Sequence, residues 1–127
     1  MNKKIHVSKE APAPVGPYSQ AVETGGFVFC SGQISINAKT NEVFKGEISE
    51  QTKMVMENIK HVLAAADLSL DNVIKTTIFL TDINDFTKVN EVYSGYFKKE
   101  PPARSTVQVS ALPKGVNVEI EVIARRF

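Results

Sequence analysis

The chain reads as an α+β protein: one β-sheet with two helices packed on a single face. Apolar residues recur at helical spacing in two segments only, one running from Ser49 to Ala66 and one from Phe86 to Phe97. Strand-like runs fill much of the remaining chain, and each helix has only one apolar stripe to bury. At 127 residues there is room for a single core, so residues 1–127 are expected to form one domain in which sheet and helices share that core.

Each element has its own warrant. Ile5 to Val7 predicts a short strand, and Ala11-Pro12-Ala13-Pro14-Val15-Gly16-Pro17 is too rich in proline for helix or sheet, so it predicts an extended loop. Ala21–Thr24 and Phe27–Gln33 flank Gly25-Gly26, the spacing and residue type of a tight hairpin whose turn needs positive φ. Asn37 to Asn41 predicts a polar turn. In the first helix Val55, Ile59, Val62, Leu63 and Ala66 share a face, Ser49 is the expected N-cap, and Glu50 favours the positive end of the helix dipole. Val73 to Leu80 is β-branched and apolar at several positions and predicts a central strand. Asp82-Ile83-Asn84-Asp85 turns the chain. Phe86, Val89, Tyr93, Tyr96 and Phe97 then give the second helix an aromatic stripe, read as core packing. A strand follows Arg104, Pro113-Lys114-Gly115 makes a turn, and Val118 to Ala124 forms the last strand.

Composition narrows the function classes. The chain is 43% hydrophobic and 23% charged, as a globular protein is, and its formal net charge of +1 gives no field that would gather nucleic acid or an anionic membrane. No apolar run approaches the roughly 18 residues of a membrane span, and no signal-peptide stretch follows the basic start, so a cytoplasmic location is expected. Cys30 is the only cysteine, read as a small buried strand residue, which excludes an internal disulfide and a cysteine metal cage. His6 and His61 lack neighbouring ligands at metal spacing, and no phosphate loop, nucleophile elbow or dinucleotide fingerprint occurs, so neither metal nor cofactor is expected. Lys98-Lys99 and Arg125-Arg126 read as short basic pairs facing solvent or a neighbouring subunit. Ile78, Leu80, Val107, Val109, Val118, Ile120, Val122 and Ile123 are more apolar strand positions than two helices cover, which points to association of several copies.

The residues with chemical promise are Arg104, in Pro101-Pro102-Ala103-Arg104-Ser105-Thr106-Val107, and Glu119, in Val118-Glu119-Ile120-Glu121-Val122. A guanidinium offers a planar donor fork that matches a carboxylate, and a partly buried glutamate can shift its pKa towards neutrality and handle protons. From these residues alone, an arginine and a glutamate on neighbouring strands more often make a plain cross-strand ion pair.

Ala13-Pro14-Val15-Gly16-Pro17-Tyr18-Ser19-Gln20-Ala21, Ser31-Gly32-Gln33, Asn84-Asp85-Phe86 with Val89-Asn90, Pro102-Ala103-Arg104-Ser105 and Val118-Glu119-Ile120-Glu121 together resemble the RidA family, also called the YjgF family, over nearly the whole chain. The resemblance implies a chorismate-mutase-like protomer with a mixed sheet. It implies a homotrimer with a central barrel and intersubunit sites, and cofactor-free hydrolysis of reactive enamines and imines such as 2-aminoacrylate to 2-oxo acids and ammonia. By the same resemblance Arg104 holds the substrate carboxylate, Glu119 positions and activates water, backbone groups at Gly32 and Thr106 orient water or the imine nitrogen, and Tyr18, Ser31 and Asn90 line the pocket. Thr106 stands where many members carry cysteine, and the Asn90–Arg104 segment is compact. Other readings are a non-catalytic 2-oxo acid-binding regulator, a stress-responsive chaperone or an endoribonuclease; near-neutral charge and the lack of a basic groove with interleaved aromatics speak against RNA.

Overall fold

The computed structural model describes residues 2–127. Its elements follow in the order β1 (Lys4–His6), β2 (Ala21–Thr24), β3 (Phe27–Gln33), α1 (Ile48–Ala65), β4 (Val73–Leu80), α2 (Phe86–Ser94), β5 (Ala103–Gln108) and β6 (Val118–Arg125). The strands form one six-stranded sheet in the order β1-β2-β3-β6-β4-β5. Every pairing is antiparallel except β4 with β5. That parallel pair needs a crossover, and α2 supplies it. The sheet is therefore mixed, with β4 interior as expected and β5 at an edge.

Boundaries differ from expectation where packing outweighs local signals. β1 lies one residue earlier than predicted, because His6 is the residue that pairs with Ala21 and turns inward, whereas Val7 is exposed. Ser49 is not the N-cap: α1 starts at Ile48 with Glu47 in the cap position and no capping side chain. Here the start is set by burial of Ile48 and by Gln51, whose Nε2 donates to Gly46 O at 2.9 Å. α2 stops at Ser94, so Tyr96 and Phe97 lie beyond it. The chain tightens there, with Tyr96 N donating to Tyr93 O, and both rings still pack against the core. The Gly25-Gly26 hairpin forms as read, both glycines at positive φ (58° and 82°).

Alternation along the strands divides the sheet into two unlike faces. Val118, Ile120, Val122 and Ala124 of β6, with Thr76, Ile78 and Leu80 of β4, are buried in the same core as Val55, Ile59, Val62 and Leu63 of α1 and Val89 and Tyr93 of α2. The opposite face carries Phe27, Phe29, Val107 and Ile123, and the first three are more than a third exposed. The apolar surplus inferred from sequence is thus real but only partly on the expected residues, Val107 and Ile123 among them. Ile78, Leu80, Val118, Ile120 and Val122 are covered by the helices, and phenylalanines of β3 take their place on the open face. No helix among the described residues is long and apolar enough to cross a membrane.

Candidate active site

Arg104 and Glu119 are not neighbours. β4 lies between their strands, and the register aligns Arg104 with Thr76 and Thr76 with Val122, three residues along β6 from Glu119. Parity then separates them: Arg104 shares the helix-covered face with Thr76 and Val122, while Glu119 shares the open face with Phe79 and Val107. Three residues of strand amount to about 10 Å, and the sheet itself stands between the two side chains. The cross-strand ion pair is excluded within the protomer, where no salt bridge joins them among the described residues.

Around Arg104 the site is built by β5, α2 and the turn before it. Pro101 and Pro102 lead into the edge strand, and the guanidinium emerges over the start of α2. Nη1 donates to Asn90 Oδ1 at 2.7 Å, and Cζ lies 5.3 Å from the centre of the Phe86 ring and 5.0 Å from that of Tyr93. Phe86 and Asn90 are four apart and Tyr93 three further on, so one face of α2 presents all three. Thr106, two residues along β5, points the same way, and its buried hydroxyl has no hydrogen-bond partner among the described residues. Arg104, Thr106, Phe86, Ile83, Asn84 and Thr87 surround an open cavity of about 560 Å³. No carboxylate pairs with Arg104 among the described residues, so its charge is presented to whatever enters.

Glu119 faces a second cavity, of about 640 Å³, shared with Tyr18, Ser31, Gly32, Lys114 and Glu121. Burial raises the Glu119 carboxyl above the ordinary glutamate range, and the neighbouring Glu121 carboxylate adds to the rise. Gly32 sits where the β3–β6 register slips. A side chain there would collide with the Glu119 carboxyl, whose Cδ lies 2.8 Å from the position a Cβ would take. Close approach, rather than a left-handed backbone, is what requires glycine at this position. Ser31 ties the strand to the proline-rich loop, its Oγ donating to Ser19 O at 2.6 Å. Tyr18 stands exposed on that loop.

Of the residues expected at the site, one protomer therefore brings together Arg104, Asn90 and Thr106 in one place and Glu119, Gly32, Ser31 and Tyr18 in another. Supporting residues that the sequence reading passed over hold each group. Gln20, almost fully buried, clamps the loop: Oε1 accepts from Ser8 N at 2.6 Å, and Nε2 donates to Pro12 O at 2.9 Å. Gln51 Oε1 accepts from Asn117 N at 3.0 Å, tying α1 to the start of β6 beside Glu119. Phe86 and Tyr93, read only as core, also carry the guanidinium. A polar glutamine in a segment of otherwise local signals gave no hint of its partners, because those partners lie far away in sequence.

Comparison with known proteins agrees with this architecture. The family model described as Endoribonuclease L-PSP matches residues 8–126. A RutC family protein of Pyrococcus abyssi is 53% identical over 124 residues, 98% of each chain. The 2-iminobutanoate/2-iminopropanoate deaminase of Homo sapiens is 43% identical over 122 residues, 96% of this chain and 89% of that one. The crystal structure of Escherichia coli TdcF with bound serine superposes with a TM-score of 0.93 at 44% identity, covering 98% of this chain and 99% of that one. With the family model matched over residues 8–126, relatives matched over nearly the whole chain and the fold in agreement, the chain belongs to the RidA family.

Proposed function

We propose that the protein is a cofactor-free imine deaminase that hydrolyses 2-iminopropanoate, 2-iminobutanoate and the enamines that tautomerise to them, releasing 2-oxo acids and ammonia. The observation that carries this reading is an arginine without a carboxylate partner among the described residues, held by neutral groups, paired in the sequence motif with a glutamate whose pKa is raised by burial. Such an arginine is a receptor for a small carboxylate. Because Arg104 and Glu119 lie on opposite faces of one sheet, the complete site on this reading forms between copies: Arg104, Asn90 and Thr106 of one protomer face Glu119, Gly32, Ser31 and Tyr18 of the next. The open face with Phe29, Val107 and Ile123 supplies apolar area for a trimer around a central barrel.

The chemistry follows from those roles. An enamine gains a proton at its terminal carbon and becomes an iminium. Arg104 holds the carboxylate and so fixes the direction of the neighbouring C=N carbon. Water attacks that carbon as Glu119 takes one of its protons, giving a carbinolamine. The same carboxyl returns the proton to nitrogen, then takes the hydroxyl proton as the C–N bond breaks, so that ammonia leaves, the carbonyl of the 2-oxo acid forms, and the proton used to protonate the enamine is recovered. Backbone groups at Gly32 and Thr106 orient water and nitrogen.

The test generates 2-aminoacrylate in situ with a serine dehydratase and traps the remaining imine with semicarbazide. Wild-type protein is expected to hasten loss of the imine and Arg104→Ala to fall by about 100-fold or more, the scale for losing a charged anchor. No acceleration by wild type would overturn the assignment. If 2-oxo acids nevertheless bound in an Arg104-dependent way, the pocket would be that of a regulator.

A further inference from the structure

Arg104 is oriented without being neutralised, and the groups that orient it are an amide oxygen and two aromatic rings. We infer that Tyr93, assisted by Phe86, is the positioning residue of the carboxylate grip: its ring face seats the Arg104 guanidinium while leaving the full positive charge available to an anionic ligand. This rests on the carboxylate-binding reading of Arg104 and adds to it the residues that set the arginine's direction.

Arg104 itself is exposed on an edge strand, where a long side chain would ordinarily sample many rotamers. A carboxylate partner would hold it still but would compete with the substrate for the same charge. Aromatic faces hold a guanidinium through the ring quadrupole and add no charge. Tyr93 suits this use because its own ring is fixed. It is 4% exposed, its hydroxyl shares a buried 2.8 Å hydrogen bond with Thr76 Oγ1, and the Phe97 ring packs 4.8 Å away. Thr76 is also the β4 residue in register with Arg104, so the seat and the arginine are referenced to the same row of the sheet. A tyrosine phenol is neutral at working pH, and burial raises the Tyr93 phenol further, so the seat adds no charge. Asn90 completes the arrangement by accepting one hydrogen bond from Nη1, leaving other donors of the fork for a ligand.

Ring and hydroxyl have separable jobs, and this makes the inference testable. The experiment measures binding of 2-oxobutanoate to the full-length protein by titration calorimetry, with Arg104→Ala as reference, and KM and kcat on the in situ imine. Tyr93→Leu, which removes the seat, is expected to weaken binding about tenfold, within the range for a cation–π contact, and to raise KM more than it lowers kcat. Tyr93→Phe is expected to restore binding to within about threefold of wild type while lowering Tm, because it keeps the ring and strands the Thr76 hydroxyl. Phe86→Leu, at a less buried position, weakens binding about threefold and serves if Tyr93→Leu fails to fold. Wild-type affinity in a folded Tyr93→Leu, or in Phe86→Leu if the former does not fold, would overturn the inference. Wild-type affinity in Arg104→Ala would instead overturn the carboxylate reading beneath it.

Discussion

Arg104, on the edge strand β5, and Arg126, just past the end of the interior strand β6, are held in opposite ways. Arg126 makes two hydrogen bonds of 2.9 Å to Glu23, and its Nη2 also donates to Ala66 O at 2.8 Å, just past the end of α1. His6 Nε2 closes the cluster 2.7 Å from Glu23 Oε1. Together these bonds tie the first strand pair, the C-terminal tail and an otherwise unsatisfied helix carbonyl. Arg104 has no carboxylate partner among the described residues and rests on Asn90, Phe86 and Tyr93. One arginine has its charge paired within the fold, and the other, on the proposed function, keeps it for a ligand; the charge of the partner is what distinguishes them. Arg126 had read in sequence as part of a basic pair facing solvent or a neighbouring subunit; the structure makes it a staple within the protomer.

The sharpest way to break the contrast is to give Arg104 the partner that Arg126 has. Asn90→Asp keeps the accepting oxygen in place and adds a negative charge beside the guanidinium. We expect 2-oxobutanoate affinity to fall by about tenfold or more with no loss of Tm, since a close opposite charge offsets much of the attraction for the ligand. Unchanged affinity would mean that neutrality around Arg104 does not matter.

Glu23→Gln tests the other side. The hydrogen bonds from Arg126 and His6 hold the Glu23 carboxyl down at about 2, against an ordinary 4.5. A carboxyl depressed in the folded state contributes stability above its unfolded pKa and loses it as pH falls through the folded one. Wild-type Tm is therefore expected to fall between about pH 4.5 and 2. The variant lacks this component of the fall and starts several degrees lower at neutral pH, with 2-oxobutanoate binding unchanged. Equal acid sensitivity in both proteins, followed by thermal melts across that window, would remove the cluster from the stability account.

The smallest effect expected is on the pH profile. Because Glu121 helps to raise the Glu119 carboxyl, Glu121→Gln should lower the Glu119 pKa and move the acid limb of kcat/KM to lower pH, leaving most of the rise in place since burial is the larger cause. An unmoved limb would assign the whole rise to burial.

Much of this was legible in the residues. The hairpin at Gly25-Gly26, both helices and the interior β4 followed from local periodicity and turn chemistry, and Arg104 and Glu119 stood out as candidates by motif, because those signals act between residues close in sequence. Tyr93 was legible only as a core aromatic, since nothing local marks which charge will lie against its ring. Glu23, His6 and Arg126 were invisible as a unit for the same reason: the ion pair joins positions 103 residues apart.

From its residues alone, then, the chain specifies an α+β element order and the two side chains on which the proposed chemistry rests. The placement of those side chains on opposite faces of one sheet came from non-local pairing, with β4 inserted between β5 and β6 and each register setting which residues share a face. A strand shifted by one residue would have reversed that parity, and only the packing of β6 and β4 against the helices decides which register wins.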